Sequence, residues 1–230
     1  KFEDNTNDET GNNPATNNGA TYTQGIIGKA ANLDGVDDYL DLGRFQELDK
    51  AVETSFSFWI KMSEEQLEKD ADFLTKGDHT SGQPLLIWRD EEVTSGTKLG
   101  NKDCLSTYIG NPWVNTESNS LNNTEWHLIT ITFKADNEKG LKAYIDKELK
   151  HETSTKQTPH IPENTQNLWI GTATNHPTYY KGLIDEVKIF NHELTPQEIT
   201  NEYNSNTQLS SIRPKISIGQ KIVEFIRKIF

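Results

Sequence analysis

The feature that most constrains this chain is a two-residue period in its apolar stretches. In Phe56-Ser57-Phe58-Trp59-Ile60-Lys61, alternation puts Phe56, Phe58 and Ile60 on one face and Ser57, Trp59 and Lys61 on the other. In the segment from His127 to Lys134, Ile129, Ile131 and Phe133 share one face, while Leu128, Thr130 and Thr132 share the other. Such alternation belongs to antiparallel sheets with a dry side and a wetter side, packed face to face. Further strands are expected at 55–61, 72–75, 84–89, 105–109, 127–134, 141–145, 167–170 and 183–190, divided by loops rich in Gly, Asn, Asp and Pro. Asp34-Gly35 between short apolar alternations predicts a hairpin across 30–42. No strand–helix–strand alternation occurs, so a parallel sheet is disfavoured. The first residues, Lys1 to Asp4, read as an edge strand, and 5–23 as turns and loop.

Helical signals are few. Thr195-Pro196-Gln197-Glu198 is a capping box with proline at the first helical position, leading into a short helix near 196–203. Residues 64–70 fit one further turn. In the C-terminal tail, Ile218, Ile222, Phe225, Ile226 and Ile229 recur at helical spacing, which predicts an amphipathic helix. From Arg213 onward that tail carries five basic residues against Glu224 alone. The change in charge sign, after a polar stretch at 204–214, suggests a sandwich domain at 1–204 and a linker with a basic tail at 205–230. The tail has three places to bury its apolar side: its own acidic domain, an anionic membrane surface, or a partner's groove.

Composition narrows the function classes. Hydrophobic residues are 33% of the 230, yet nine Phe, seven Tyr and five Trp can fill a thin core between sheets. A net charge of −12 repels phosphate backbones, so broad nucleic-acid binding is disfavoured. No apolar run approaches the ~20 residues of a membrane-spanning helix. The single cysteine, Cys104, excludes an internal disulfide or a multi-thiolate zinc site and reads as a buried small hydrophobe. A start at Lys1 without Met or a leader suggests a mature or excised form. The Asn/Thr/Asp-rich composition suits an extracellular or cell-surface protein.

Several motifs, in order, carry a family resemblance. Gly25-Ile26-Ile27-Gly28-Lys29-Ala30-Ala31-Asn32-Leu33-Asp34-Gly35-Val36-Asp37-Asp38-Tyr39-Leu40 resembles the opening of laminin-G-like, concanavalin-A-like domains. Phe56 to Lys61, Phe73-Leu74-Thr75-Lys76-Gly77 and Trp126-His127-Leu128-Ile129 are similar to three of their strands. Ala143-Tyr144-Ile145-Asp146 resembles another, with Lys147 where glycine is usual. Lys181 through Tyr203 is similar to their closing strand and helix. The resemblance spans about Gly25 to Tyr203 and implies an all-β jelly-roll sandwich of two curved antiparallel sheets. It leaves the tail unexplained.

The same fold hosts glucanases, which place paired carboxylates on one strand. No Glu-x-Asp-x-x-Glu strand is present here, and no nucleophile, zinc or phosphate-loop motif. The expectation is therefore a non-catalytic recognition module for carbohydrate or a surface-protein ligand, bound at a loop-lined edge or concave face. A glycoside hydrolase of the same fold and a structural spacer are the alternatives. Trp88, Trp113, Trp169, Tyr179 and Tyr180 lie in or near loop-flanked segments. Trp113, in Gly110-Asn111-Pro112-Trp113, is the preferred exposed platform, with Trp88, Tyr179 and Tyr180 as further ligand-binding candidates. Period two places Asp185 beside Val187 and Ile189, so its carboxylate needs compensation by backbone N–H groups, a cation or a metal. Hard oxygen ligands suit calcium. Asp34 and Asp37 in the hairpin turn, with Glu3, Asp4 and Asp185, are the candidate ligands of one structural Ca2+; the alternative is a turn whose aspartates cap their own backbone.

Overall fold

The computed structural model describes residues 2–7, 11, 13–77, 85–91, 102–110, 113–174 and 178–212, with 113 and 209–212 described by backbone alone. Two seven-stranded antiparallel sheets pack face to face. With strands numbered along the chain, the first sheet runs β1 (Thr16–Asn18), β4 (Tyr39–Asp41), β13 (Leu168–Ile170), β6 (Ala71–Lys76), β7 (Leu85–Asp90), β8 (Cys104–Ile109) and β9 (Trp113–Asn115). The second runs β12 (Glu148–Glu152), β11 (Leu141–Ile145), β10 (Trp126–Lys134), β5 (Glu53–Met62), β14 (Lys181–Phe190), β3 (Lys29–Asp34) and β2 (Thr21–Gln24).

The alternation carries through to the core. Phe56, Phe58 and Ile60 of β5 pair in register with Ile131, Ile129 and His127 of β10. All of these except His127 lie in one buried apolar cluster with Leu40, Phe73, Leu85, Ile87, Leu105, Leu168 and Ile170 from the first sheet. A buried cation anchors the loops beneath this sheet. Arg89 donates to the carbonyls of Gln66, Leu67, Lys69 and Leu121 and to the Asp103 carboxylate. Cys104 is buried, and burial raises its thiol pKa.

Three departures from the sequence reading have physical causes. Residues 3–5 form bends rather than an edge strand, with Phe2 before them buried in the core cluster and Lys1 outside the described residues. Instead β1 and β2 arise within the polar segment, as short edge strands whose outward groups stay wet. The helix α1 spans Pro196–Ile212, longer than the capping box alone indicates. Its box is formed: Glu198 N–H donates to Thr195 Oγ1 at 3.3 Å and Thr195 N–H to Glu198 Oε2 at 2.8 Å. Its first half and Asn206 are held on the sandwich. Tyr203 stacks on Trp59 at 5.5 Å, Ile199 packs with Leu194 and Tyr144, and Asn206 is buried.

The third departure is a β-bulge. Asp185 pairs with Trp59, but Lys188 pairs with Ser57, so β14 carries one extra residue. The period-two count fails there. Asp185 faces outward with Trp59, whereas Val187 and Ile189 pack against the core. The tail beyond residue 212, including the expected 218–229 helix, lies outside the described residues. Among the described residues, no helix is long and apolar enough to cross a membrane.

Candidate functional site

The outer faces of the two sheets differ. On the second sheet, α1 covers the outward side chains: Trp59 is 1% exposed beneath Tyr203, and Lys188 pairs with Glu202 at 2.5 Å. Helix α1 does not lie on the outer face of the first sheet. The registers put one row of side chains across that face: Asp41, Trp169, Thr75, Leu86, Tyr108 and Trp113, from β4 to β9. Tyr39 stands beside Trp169, their rings 4.8 Å apart and tilted by 42°, both half-buried. Leu40, Leu168 and Ile170, the neighbours in sequence, point the other way into the core.

Polar groups frame this ring pair. Asp41 accepts from Gly43 N–H at 2.7 Å and from the Asn167 amide at 3.0 Å. Trp169 Nε1 is buried with no hydrogen-bond partner. Further along the row, the Tyr108 hydroxyl donates to the Gly110 carbonyl at 2.8 Å. A half-buried Tyr–Trp pair with a carboxylate and an amide alongside offers apolar ring surface with hydrogen-bonding groups at its margin.

The expected ligand-binding aromatics fall in different places. Trp113 lies on this outer face by its pairing with Tyr108, while its side chain and Asn111-Pro112 are outside the described residues. Trp88 is on the same face, one row on, but only 7% exposed. Tyr179 is half-buried beside the start of β14. Tyr180 is a correction: it is 0% exposed, edge-on to Phe73 at 5.3 Å, and belongs to the core. Its hydroxyl donates to the Leu183 carbonyl at 3.3 Å, and burial holds its pKa well above the ordinary phenol value. Tyr39 is not among the expected aromatics, although alternation around Leu40 places it on the outward face together with Asp41.

The five expected metal ligands do not meet in one place. Asp34 pairs opposite Lys181, and Asp185 lies four residues further along β14, about 13 Å away. Asp34, Asp37 and Asp38 offer oxygens within 4.8 Å of one another, but they also serve the turn. Asp34 accepts from Val36 N–H at 2.8 Å, which lowers its pKa, and Asp38 accepts from Asp34 N–H at 3.0 Å. Asp4 pairs with Lys29 at 2.5 Å.

Glu3 and Asp185 flank a second turn. A Cβ at Gly25 would overlap the Asp185 carboxylate, and one at Gly28 (φ +64°) would overlap that of Glu3. Asp185 is 0% exposed and accepts from Ile27 N–H at 3.1 Å and Glu186 N–H at 2.8 Å. Burial outweighs these bonds and lifts its pKa to about 6. Two carboxylates converging on a glycine turn are oxygen donors of the kind a hard cation takes.

Comparisons with known proteins agree with this architecture. A family model described as the concanavalin A-like lectin/glucanases superfamily matches residues 34–200. No curated protein matches. One similar solved structure is domain 4 of AbnA, a GH43 extracellular arabinanase from Geobacillus stearothermophilus, in complex with arabinotriose. It is 23% identical, the match covers 86% of this chain and 92% of that one, and the TM-score is 0.64. The binding domain of Paraclostridial Mosquitocidal Protein 1 is 17% identical over 86% of this chain and 49% of that one, with a TM-score of 0.63. A putative carbohydrate binding protein from Bacteroides ovatus is 14% identical over 74% and 45%, with a TM-score of 0.57. In the last two the match spans about half of the other chain. The chain belongs to the concanavalin A-like lectin/glucanase superfamily.

Proposed function

We propose that this domain is a non-catalytic, extracellular recognition module that binds carbohydrate on the outer face of the first sheet. The observation that carries the reading is the half-buried Tyr39–Trp169 pair, set beside Asp41 and Asn167 at the β4–β13 end of the outer face, whereas Thr75 and Leu86 further along the row are buried. A sugar ring presents a C–H face that stacks on such rings, and hydroxyls that reach the flanking carboxylate and amide. The arabinotriose complex of a similar domain and the carbohydrate-binding relative support this class of ligand. A catalytic role for this face is disfavoured by its strand carboxylates. Asp41 is held by two donors, and Asp72 is buried and accepts from the Thr178 hydroxyl.

A structural calcium ion belongs to the same proposal, held by Glu3 and Asp185 at the Gly25–Gly28 turn. It would supply positive charge to a buried carboxylate. Those residues would anchor the N-terminal segment to β14.

A glycan array and a reducing-sugar assay on the same preparation test the function. Wild type should bind, Trp169→Ala should lose binding about tenfold or more with its melt still cooperative, and neither should release reducing ends. Release of reducing ends overturns the non-catalytic reading. Silence in both assays favours a spacer or a protein-binding surface module.

A further inference from the structure

The chain holds one Asn-Gly pair, Asn18-Gly19, and one Asp-Gly pair, Asp34-Gly35. Both are set up for the same reaction, in which the glycine's backbone nitrogen attacks the side-chain carbonyl carbon of the residue before it. Glycine has no Cβ to hinder that approach, and its backbone turns freely. The structure separates the two pairs. Asp34 Oδ1 accepts from Val36 N–H at 2.8 Å and from Asp37 N–H at 3.4 Å, and these bonds favour its ionised form. An ionised carboxylate held in place is a poor electrophile.

Asn18 is placed differently. It ends β1, a three-residue strand at the edge of the first sheet, and the chain leaves the sheet at the exposed Gly19 (φ +92°). The Asn18 amide reaches the Thr16 carbonyl at a long 3.4 Å. Its neighbour Asn17 is clamped, donating to the Ala20 carbonyl at 2.8 Å and to the Tyr22 hydroxyl at 3.1 Å. The loosely held carboxamide is therefore the one that glycine follows. Register sets Asn18 opposite Tyr39, so both lie on the outer face with Cβ atoms about 5 Å apart. The Asn167 amide is committed to Asp41, which leaves Asn18 as a less committed amide at the margin of the ring pair.

We propose that Asn18 is a site of spontaneous modification that changes the margin of the outer face with time. The Gly19 nitrogen loses its proton and bonds to Asn18 Cγ. The Cγ–Nδ2 bond breaks, and Nδ2 takes up a proton and leaves as ammonia. Water then opens the cyclic imide at either carbonyl. One product is aspartate on the original main chain; the other is isoaspartate, with the main chain routed through the former side chain. The net exchange is amide plus water for acid plus ammonia, and nothing is oxidised or reduced. Either product replaces a group that donates and accepts by a carboxylate that only accepts. The new charge adjoins Asp38, whose carboxylate lies against Gly19. Isoaspartate also adds one main-chain atom where β1 pairs with β4, out of step with a strand repeat of about 3.3 Å per residue. The effect on glycan binding rests on the proposed function; the conversion itself does not.

The test ages the folded full chain at mildly alkaline pH in heavy-oxygen water and maps its peptides by mass spectrometry that separates aspartate from isoaspartate. Asn18 should convert ahead of the other asparagines, take up the heavy label and give both isomers. Asn18→Gln, which keeps an amide but closes to a larger ring, should persist. Conversion at Asn18 no faster than elsewhere, or aspartate as its sole product, overturns the site. Tyr39 ring resonances should shift in step with the converted fraction in wild type and stay fixed in the aged glutamine variant. Resonances unmoved by conversion overturn the coupling to the face. Aged wild type and Asn18→Asp should bind glycan about three- to tenfold more weakly than fresh wild type, the share of one hydrogen bond. Equal binding overturns the change in the margin. Fresh wild type that binds no glycan, with Asn18 converting and Tyr39 shifting, removes the proposed function and supports the modification site.

Discussion

Asp185→Asn is the sharpest probe of the N-terminal anchor. In calcium-free buffer the folded protein holds the Asp185 proton up to about pH 6, because burial penalises the charge more than its two backbone donors help it. The unfolded chain releases that proton near its ordinary 3.8. Between those values the native state binds more protons, so stability falls as pH rises from about 4 to about 6 and then levels off. The shift corresponds to about 3 kcal/mol. For a chain of this size that is roughly 6–12 °C in Tm. The amide of the variant has no proton to lose, so Tm of wild type minus variant should drop by that amount between about pH 4 and pH 7 in EDTA. Asp38, whose pKa is also raised by burial, titrates in both proteins and cancels. Calcium should then restore the wild-type Tm at neutral pH and leave the variant unmoved, because the ion takes the ionised form. Parallel EDTA melting curves would falsify the buried-charge argument, and a wild type indifferent to calcium would remove the ion.

Other perturbations probe the rest of the frame. Arg89→Leu strands the Asp103 carboxylate and removes a donor from four backbone carbonyls, of which Gln66 and Lys69 keep another partner, and should cost about 3–5 kcal/mol, read as a lower denaturant midpoint with an unchanged slope. Gly28→Ala forces φ +64° on a residue with a Cβ and pushes Glu3 aside, at about 1–2 kcal/mol. It should also abolish the calcium-dependent rise in Tm, and retention of that rise would show that Glu3 is not a ligand. Truncation after Ser210 removes only the last two residues of α1 and everything beyond, so the melt should stay cooperative and glycan binding intact. Aggregation would make the tail part of the core.

Much of this structure is legible in the chain because burial on one side of a strand writes itself as alternation. Phe56, Phe58, Ile60, Ile129, Ile131 and Phe133 are where period two places them, and the Thr195–Glu198 box starts the helix it indicates. Other elements lack that signature. The edge strands β1, β2 and β12 bury little, so their residues stay polar or charged. The site is hidden for a different reason. Composition favours rings in loops over rings in strands as binding candidates, whereas Tyr39 and Trp169 gain their partnership only when β13 is laid between β4 and β6. Tyr180 shows the converse: a tyrosine beside a loop turns inward because Gly182 leaves room for its ring. A Cβ at Gly182 would crowd the Tyr180 hydroxyl at 2.7 Å.

One inserted residue in β14 accounts for the division of labour between the two acidic side chains. Without the bulge, alternation from Leu183 would place Asp185, Val187 and Ile189 on one face, and either the acid would enter the core or the aliphatics would leave it. Burying an unpaired carboxylate costs several kcal/mol, and exposing the half-buried Val187 and Ile189 forfeits part of the about 1.5–3 kcal/mol that a fully buried aliphatic side chain contributes. The extra residue keeps Asp185 with its backbone donors and the aliphatics inward, and transfers the inward acidic position to Glu186. It leaves Asp185 on the outer side against Gly25 and Ile27, and sends Val187 and Ile189 inward. The residue that absorbs the change of parity is Glu186, in left-handed backbone, whose carboxylate consequently faces the space between the sheets. Neighbouring acids thus serve opposite sides of one strand. Asp185 accepts from Ile27 N–H in the N-terminal turn, while Glu186 borders the cavity between the sheets.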